Sequence, residues 1–196
     1  MHNKEKILYK SKNFHILERE GAMGIKPLFT NVVIMPFTCD ENKLPLFIGV
    51  LKERNPFREG GISISLITGT SEEEDPDLLS TAKRELKEES GFLVDDTERW
   101  YYLGNSTSSK FVDHEQPCFA VDITGIERGE VTTDGSDREA QAEFKFIPAN
   151  DVVKAKDIFI PGLFLKLFKY VLGMNISNPS GEKDGLGKET GYKLSI

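Results

Sequence analysis

A mixed β-sheet held between helices, an α/β/α sandwich, is the fold class this sequence predicts, and three observations predict it. Short apolar, β-rich runs recur along the chain. An acidic helix with clear start and stop signals interrupts them at residues 78–90, and a second, strongly apolar helix follows the last of them. Strands interleaved with helices in this order need both sheet faces covered. Composition alone supports only a soluble α/β domain.

Taken in order, ILYKSKNFHILE at 7–18 mixes apolar and polar residues as a strand does, and Gly21 with Gly24 marks a turn region, which predicts an N-terminal hairpin. NVVIMPF at 31–37 and LFIGVL at 46–51 read as buried strands across a polar loop at 40–43. ISISLITG alternates and leads directly into Gly69. Beyond the acidic helix, residues 100–103, 118–123 and 143–147 read as strands, the first two flanking a polar loop at 104–116. Residues 151–156 are expected to form a helical turn. LFLKLFKYVLG, from Leu163, is helical and apolar on more than one side, too short to cross a bilayer of roughly 20 residues per span. It is placed against the sheet, with one side open to a subunit interface. Residues 173–196, Gly-rich and polar, read as a flexible tail, 1–30 as a strand extension and 31–172 as the main domain.

The chain has 196 residues, enough for one domain with a sizeable core, and no internal repeat. Its formal charge of −7 opposes general affinity for nucleic-acid backbone or anionic membrane, so the expected partner is a small molecule. Cys39 and Cys118 form no CxxC or Cys/His cluster, which excludes a zinc site of that kind and fits a reducing cytoplasm. The first residues, MHNKEKILYKSKNF, lack the apolar core of a signal peptide, and the reading is a soluble cytoplasmic protein. His2, His15 and His114 are scattered and are assigned no chemistry.

The chemistry concentrates between Gly69 and Phe92, GTSEEEDPDLLSTAKRELKEESGF. Asp77 is a good N-cap, the acidic run before it suits a helix N-terminus, and Gly91 suits the left-handed residue that ends a helix. Leu78, Leu79, Ala82 and Leu86 share the buried arc, with Ser80, Lys83 and Lys87 opposite. Glu85, Glu88 and Glu89 stand at i, i+3 and i, i+4 spacings, so their carboxylates are expected to converge at the edge of that face. Arg84 pairs with Glu88 at i+4. Like charges so placed repel, and hard divalent cations such as Mg2+ or Mn2+ prefer oxygen ligands and would compensate them. A solvated charged helix is the competing reading on spacing alone.

Arg84, Glu85, Leu86, Lys87, Glu88, Glu89, Ser90, Gly91 and Phe92 match the core of the Nudix box, Arg-Glu-U-x-Glu-Glu-x-Gly-U with U bulky and apolar, at every defined position. At ordinary residue usage, five fixed matches arise by chance less than about once in a hundred thousand windows. The chain therefore resembles the Nudix hydrolase family over residues 31–172, and the resemblance also implies the α/β/α fold. The upstream half departs from the pattern, in which a Gly, five residues, a Glu and seven residues precede the Arg; here Gly69, five residues, Asp75 and eight residues do. The role of Asp75, and of Glu74 beside it, stays open.

Members of this family cleave nucleoside diphosphates linked to another moiety, with Mg2+ or Mn2+ as cofactor. The resemblance implies that Glu85 and Glu89 are the principal metal ligands, that Glu88 shares a metal or holds Arg84, and that the backbone carbonyl of Thr68 completes the site. The N-terminal strands, the Leu51-Lys52-Glu53-Arg54-Asn55-Pro56 segment and the 111–120 stretch resemble the ADP-ribose pyrophosphatase branch, which implies ADP-ribose cleaved to AMP and ribose 5-phosphate. A Pro that this branch carries beyond the box is absent, since residues 105–110 read NSTSSK, so other nucleoside diphosphate sugars stand as alternatives. A non-catalytic metabolite sensor on the same fold is the second alternative; such modules lose box glutamates that are present here. Arg54 is the candidate for gripping substrate. The branch places a catalytic base on the loop before the final strand, TTDGSDREAQAE, where Glu139 is preferred and Glu143 is the other candidate, with a box glutamate such as Glu88 taking the role if neither serves. Pairing through the N-terminal strands implies a homodimer.

Overall fold

A computed structural model describes residues 5–131 and 142–172. The first strands, β1 (Glu5–Lys10), β2 (Phe14–Arg19) and β3 (Ala22–Pro27), form an antiparallel sheet of their own in the order β1-β2-β3. The sequence predicts a hairpin here, and the structure adds a strand where the glycines suggested only a turn. The reason is local. Glu20 and Gly21 both take positive φ, 53° and 83°, which makes a two-residue turn matched to strand twist and leaves Gly24 inside β3. Gly24 eases a close approach there, since a Cβ would stand 3.1 Å from the Phe111 carbonyl oxygen. Ile25 donates to that oxygen at 2.8 Å and accepts from the Asp113 amide, so β3 is bonded to the 107–113 segment.

The larger sheet has seven strands, in the order β10-β5-β4-β9-β8 with β6 on β5 and β7 on β4. Its members are β4 (Asn31–Cys39), β5 (Pro45–Arg54), β6 (Ile62–Ser65), β7 (Ile67–Thr70), β8 (Trp100–Ser106), β9 (Gln116–Asp122) and β10 (Glu143–Pro148). Only β4 and β9 run parallel among the paired strands, which makes the sheet mixed as expected. The run ISISLITG breaks at Leu66 into two strands, because β4 and β5 pair with each other only near Phe37 and Ile48 and then diverge. Beyond that point β5 pairs with β6 and β4 with β7. Pro36, which has no amide to donate, sits where β4 changes partner from β7 to β5.

Alternation along β4 divides the core between two faces. Val32 and Ile34 join Ile67, Leu79, Ala82, Leu86, Phe92 and Phe144 on the side of α1 (Leu78–Ser90). Val33, Met35 and Phe37 join Ile48, Val50, Ile160, Leu163 and Leu167 on the side of α2 (Phe159–Val171). The helices thus cover opposite faces of one sheet. α2 begins four residues before the Leu163 expected from sequence, because Pro161 falls in the first turn, where its missing amide has no partner to lose. The turn expected at 151–156 is a 3-10 helix over Ala149–Lys154. None of the helices among the described residues is long and apolar enough to cross a membrane.

Candidate active site

Both ends of α1 form as the sequence predicts. The Asp77 side chain accepts from the Ser80 amide at 2.7 Å, and Gly91 takes φ 77° while donating to the Lys87 carbonyl. Leu79, Ala82 and Leu86 are buried, and so are two residues left off the predicted face, Thr81 and Ser90. Each has a polar reason to be there. Thr81 donates to Asp75 at 3.0 Å, while the Ser90 hydroxyl donates to the Leu86 carbonyl and accepts from the Phe92 amide.

Arg84 is the centre of the carboxylate cluster. Its Nη1 lies 2.9 Å from Glu85 and 3.0 Å from Glu88, and its Nε and Nη2 reach Asp75 at 3.3 and 3.0 Å. Nη2 also donates to the Thr70 carbonyl at 2.8 Å, and Glu72 stands 3.7 Å from Nη1. The hydrogen bonds it donates to Asp75, against the opposing cost of burial, hold the guanidinium above even its usual pKa, so it is cationic at any working pH. The same contact holds the Asp75 carboxyl below its usual range.

Asp75 therefore has a role the sequence left open. Its side chain is only 8% exposed and accepts from Arg84, Thr81 and the Glu72 amide. Asp75 thus anchors the arginine from the turn that precedes α1. Glu74 is exposed and has no such contacts.

Gly69 explains itself by packing. A Cβ there would lie 1.9 Å from Cδ of Glu85, so the glutamate stem lies flat on the bare backbone of β7. Ile67 and Gly69 face α1, and alternation turns the Thr68 and Thr70 side chains to the other side. Thr68 itself lies opposite Val33 in the β4–β7 ladder.

The expected convergence of Glu85, Glu88 and Glu89 is therefore modified. Arg84 draws Glu85 and Glu88 to itself, and among the described residues no three His, Cys, Asp or Glu side chains stand in a metal-holding arrangement. Electrostatics is the cause, since the guanidinium is a fixed cation within hydrogen-bond reach of both carboxylates. The Oε2 of Glu89 is buried. The donor set remains wholly carboxylate oxygen, which fits a hard divalent ion in kind.

Strand register collects the other candidates at one end of the sheet. Thr70 lies opposite Asn31 at the start of β4; β5, antiparallel to β4, ends there at Arg54; and β10 begins there with Glu143 opposite Lys52. Arg54 is exposed, opposite Ile62. The Glu143 side chain is 60% exposed and paired with Lys145 at 3.0 Å. It lies on the face opposite Phe144, whose ring packs on the α1 side. Glu139 lies outside the described residues, as does the tail over 173–196. His114, assigned no chemistry, is hydrogen-bonded to Asn31 beside Phe29 at this same end.

Comparison with known proteins bears on the fold and the family. No curated protein matches the chain significantly. Among solved structures 179 chains match, and one, described as a crystal structure of an ADP compounds hydrolase, aligns with a TM-score of 0.61 over 87% of this chain and 93% of its own, at 13% identity. At that identity the likeness is one of fold. The family model for the NUDIX domain matches residues 30–168, from the start of β4 into α2, and so includes Gly69, Asp75 and the whole arginine–glutamate cluster. The chain belongs to the NUDIX domain family.

Proposed function

We propose that this chain is a metal-dependent pyrophosphohydrolase that cleaves the diphosphate of a nucleoside diphosphate linked to another moiety, with ADP-ribose as substrate and AMP and ribose 5-phosphate as products. The observation that carries the reading is the cluster on α1: Glu85, Glu88 and Glu89 on its last two turns, one of them laid on Gly69. The fold shared with an ADP compounds hydrolase supports the substrate.

Glu85 and Glu89 would hold Mg2+ or Mn2+, with Glu88 joining them or keeping Arg84, and with the Thr68 carbonyl as a further oxygen. When bound, the ion supplies neutralisation of the diphosphate and acidification of water at neutral pH. The chain's own residues do the rest. Arg84 and Asp75 fix the helix to the turn before it, so that the carboxylates keep their places. Arg54 grips the anion through a planar cation suited to paired oxygens. Glu139 takes the proton of the attacking water as the P–O bond breaks. Strand alternation supports Glu139 over Glu143, since Glu143 faces away from α1.

The test is AMP release from ADP-ribose with excess Mg2+, repeated with a chelator. Metal-dependent release is expected. Tight binding of ADP-ribose without release would identify a metabolite sensor instead, and release from a different nucleoside diphosphate sugar alone would move the substrate assignment.

A further inference from the structure

The substrate of the proposed reaction is an anion, the protein carries a formal charge of −7, and the arginine at the centre of its box is spent on four carboxylates. A second cation is built onto the other end of the same helix. Arg128 donates through Nε to the Ser90 carbonyl at 2.8 Å, one residue beyond Glu89. Its guanidinium lies over the Phe144 ring, 5.4 Å from the centroid. That ring is itself fixed by edge contacts with Phe92 at 5.6 Å and Phe146 at 5.3 Å.

The backbone beneath is held as firmly. Phe92 and Arg128 form an antiparallel bridge, and the Gly129 amide donates to the Gly91 carbonyl at 2.8 Å. Gly91 permits the approach, since a Cβ there would stand 2.6 Å from the Gly129 oxygen. Among the described residues Nη1 and Nη2 of Arg128 have no hydrogen-bond acceptor, and the residue is exposed. A guanidinium oriented by its Nε and its flat face, with both terminal nitrogens open to solvent, has already lost the rotamer freedom that anion binding would otherwise cost.

We propose that Arg128 is a substrate-binding residue that grips a pair of phosphate oxygens at the Glu89 end of α1. This rests on the pyrophosphohydrolase reading and adds to Arg54 a second anion contact, joined to the metal-holding helix through the Ser90 carbonyl.

A merely structural clamp on the end of α1 predicts different numbers, so the two are separable. KM and kcat are measured with Mg2+ on ADP-ribose and other nucleoside diphosphate sugars, dissociation constants for the same compounds by calorimetry with Ca2+ in place of Mg2+, and Mn2+ affinity and thermal midpoint without substrate. Arg128→Gln is expected to raise KM about tenfold, with kcat within about threefold and Mn2+ affinity unchanged, and Arg128→Lys to restore only part of the loss because it keeps the charge and not the paired donors. An unchanged KM overturns the proposal; so does a fall in Mn2+ affinity and thermal midpoint with KM unmoved, which would assign Arg128 to holding the helix. If the wild-type chain binds ADP-ribose without cleaving it, the catalytic reading falls while this one is still decided by the dissociation constant of Arg128→Gln. A wild-type chain that neither binds nor cleaves any of the compounds overturns both.

Discussion

At the residue scale the site is an arginine shared among acids, and the acids divide by what they do for it. Glu89, whose Oε2 is buried at the end of α1, is proposed as a principal ligand of the ion. Glu89→Gln keeps the shape and removes the charge, and turnover should fall at least about a hundredfold if the ion contributes several kcal/mol to the transition state. Steady-state rates near those of the wild type would remove Glu89 from the ligand set. Asp75 acts at one remove, and its signature is in acid. The Arg84 hydrogen bond holds its carboxyl below the usual aspartate range, so the stability it contributes is present above that range and is lost as pH falls through the folded value. Asp75→Asn should therefore be less stable than wild type at neutral pH, with the gap closing as the carboxyl protonates in acid; a gap that stays constant to the lowest pH measured would mean that the carboxylate charge is not what matters. For the base, a paired substitution decides: Glu139→Gln should lose far more turnover than Glu143→Gln with metal affinity little changed. A larger loss in Glu143→Gln reverses that assignment, and no loss in either points to Glu88 or another box glutamate.

At the scale of elements, α1 is fastened at both ends by different means. Its start is capped by Asp77 and tied through Thr81 to Asp75, while its end is closed by a left-handed glycine against Gly129. Gly91→Ala combines a positive φ of 77° with a contact of 2.6 Å to backbone, and should destabilise the fold by at least about 1–2 kcal/mol. Urea unfolding checks this, and a midpoint equal to wild type would mean that the turn re-forms with another residue in that role. The wedge of β6 and β7 between the diverging β4 and β5 is the other organising element. It brings Gly69 under Glu85, and so joins the helix bearing the acids to the sheet end bearing Arg54.

For the whole molecule, the separate N-terminal sheet is the feature that lies outside residues 30–168, which the family model matches. It is bonded to the 107–113 segment through Ile25, and Arg19 reaches both Glu5 and Asp113. β1 is exposed along its whole length, including Ile7, Leu8 and Tyr9, and pairs with β2 alone in its sheet. We propose that this edge pairs with a second copy of the chain, with 1–30 as a dimerisation extension to the domain at 31–172. Sedimentation at micromolar concentration should show a dimer, and only monomer there would refute the pairing.

The helix that carries the site was legible in sequence because its information is local. An N-cap, a periodic apolar face and a glycine stop lie within one short stretch, and the backbone chemistry of each is independent of the rest of the chain. That 31–37 forms a buried strand was legible too, from its apolar run; which residues face α1 and which face α2 came from the structure. Contacts made across long sequence separations were not legible. Nothing near Arg84 shows that Asp75 rather than Glu74 or Glu72 anchors it, because the choice depends on how the 71–77 turn closes over Thr81. The split of ISISLITG into two strands depends on β4 and β5 diverging, and the third N-terminal strand depends on the Phe111 carbonyl waiting for the Ile25 amide. The position of Arg128 on Ser90, 38 residues away in sequence, is of the same kind. Local sequence determined which residues could do chemistry here; only tertiary packing decided which charges meet, because electrostatic partners are chosen by distance in space and by burial, and neither has a period that sequence records.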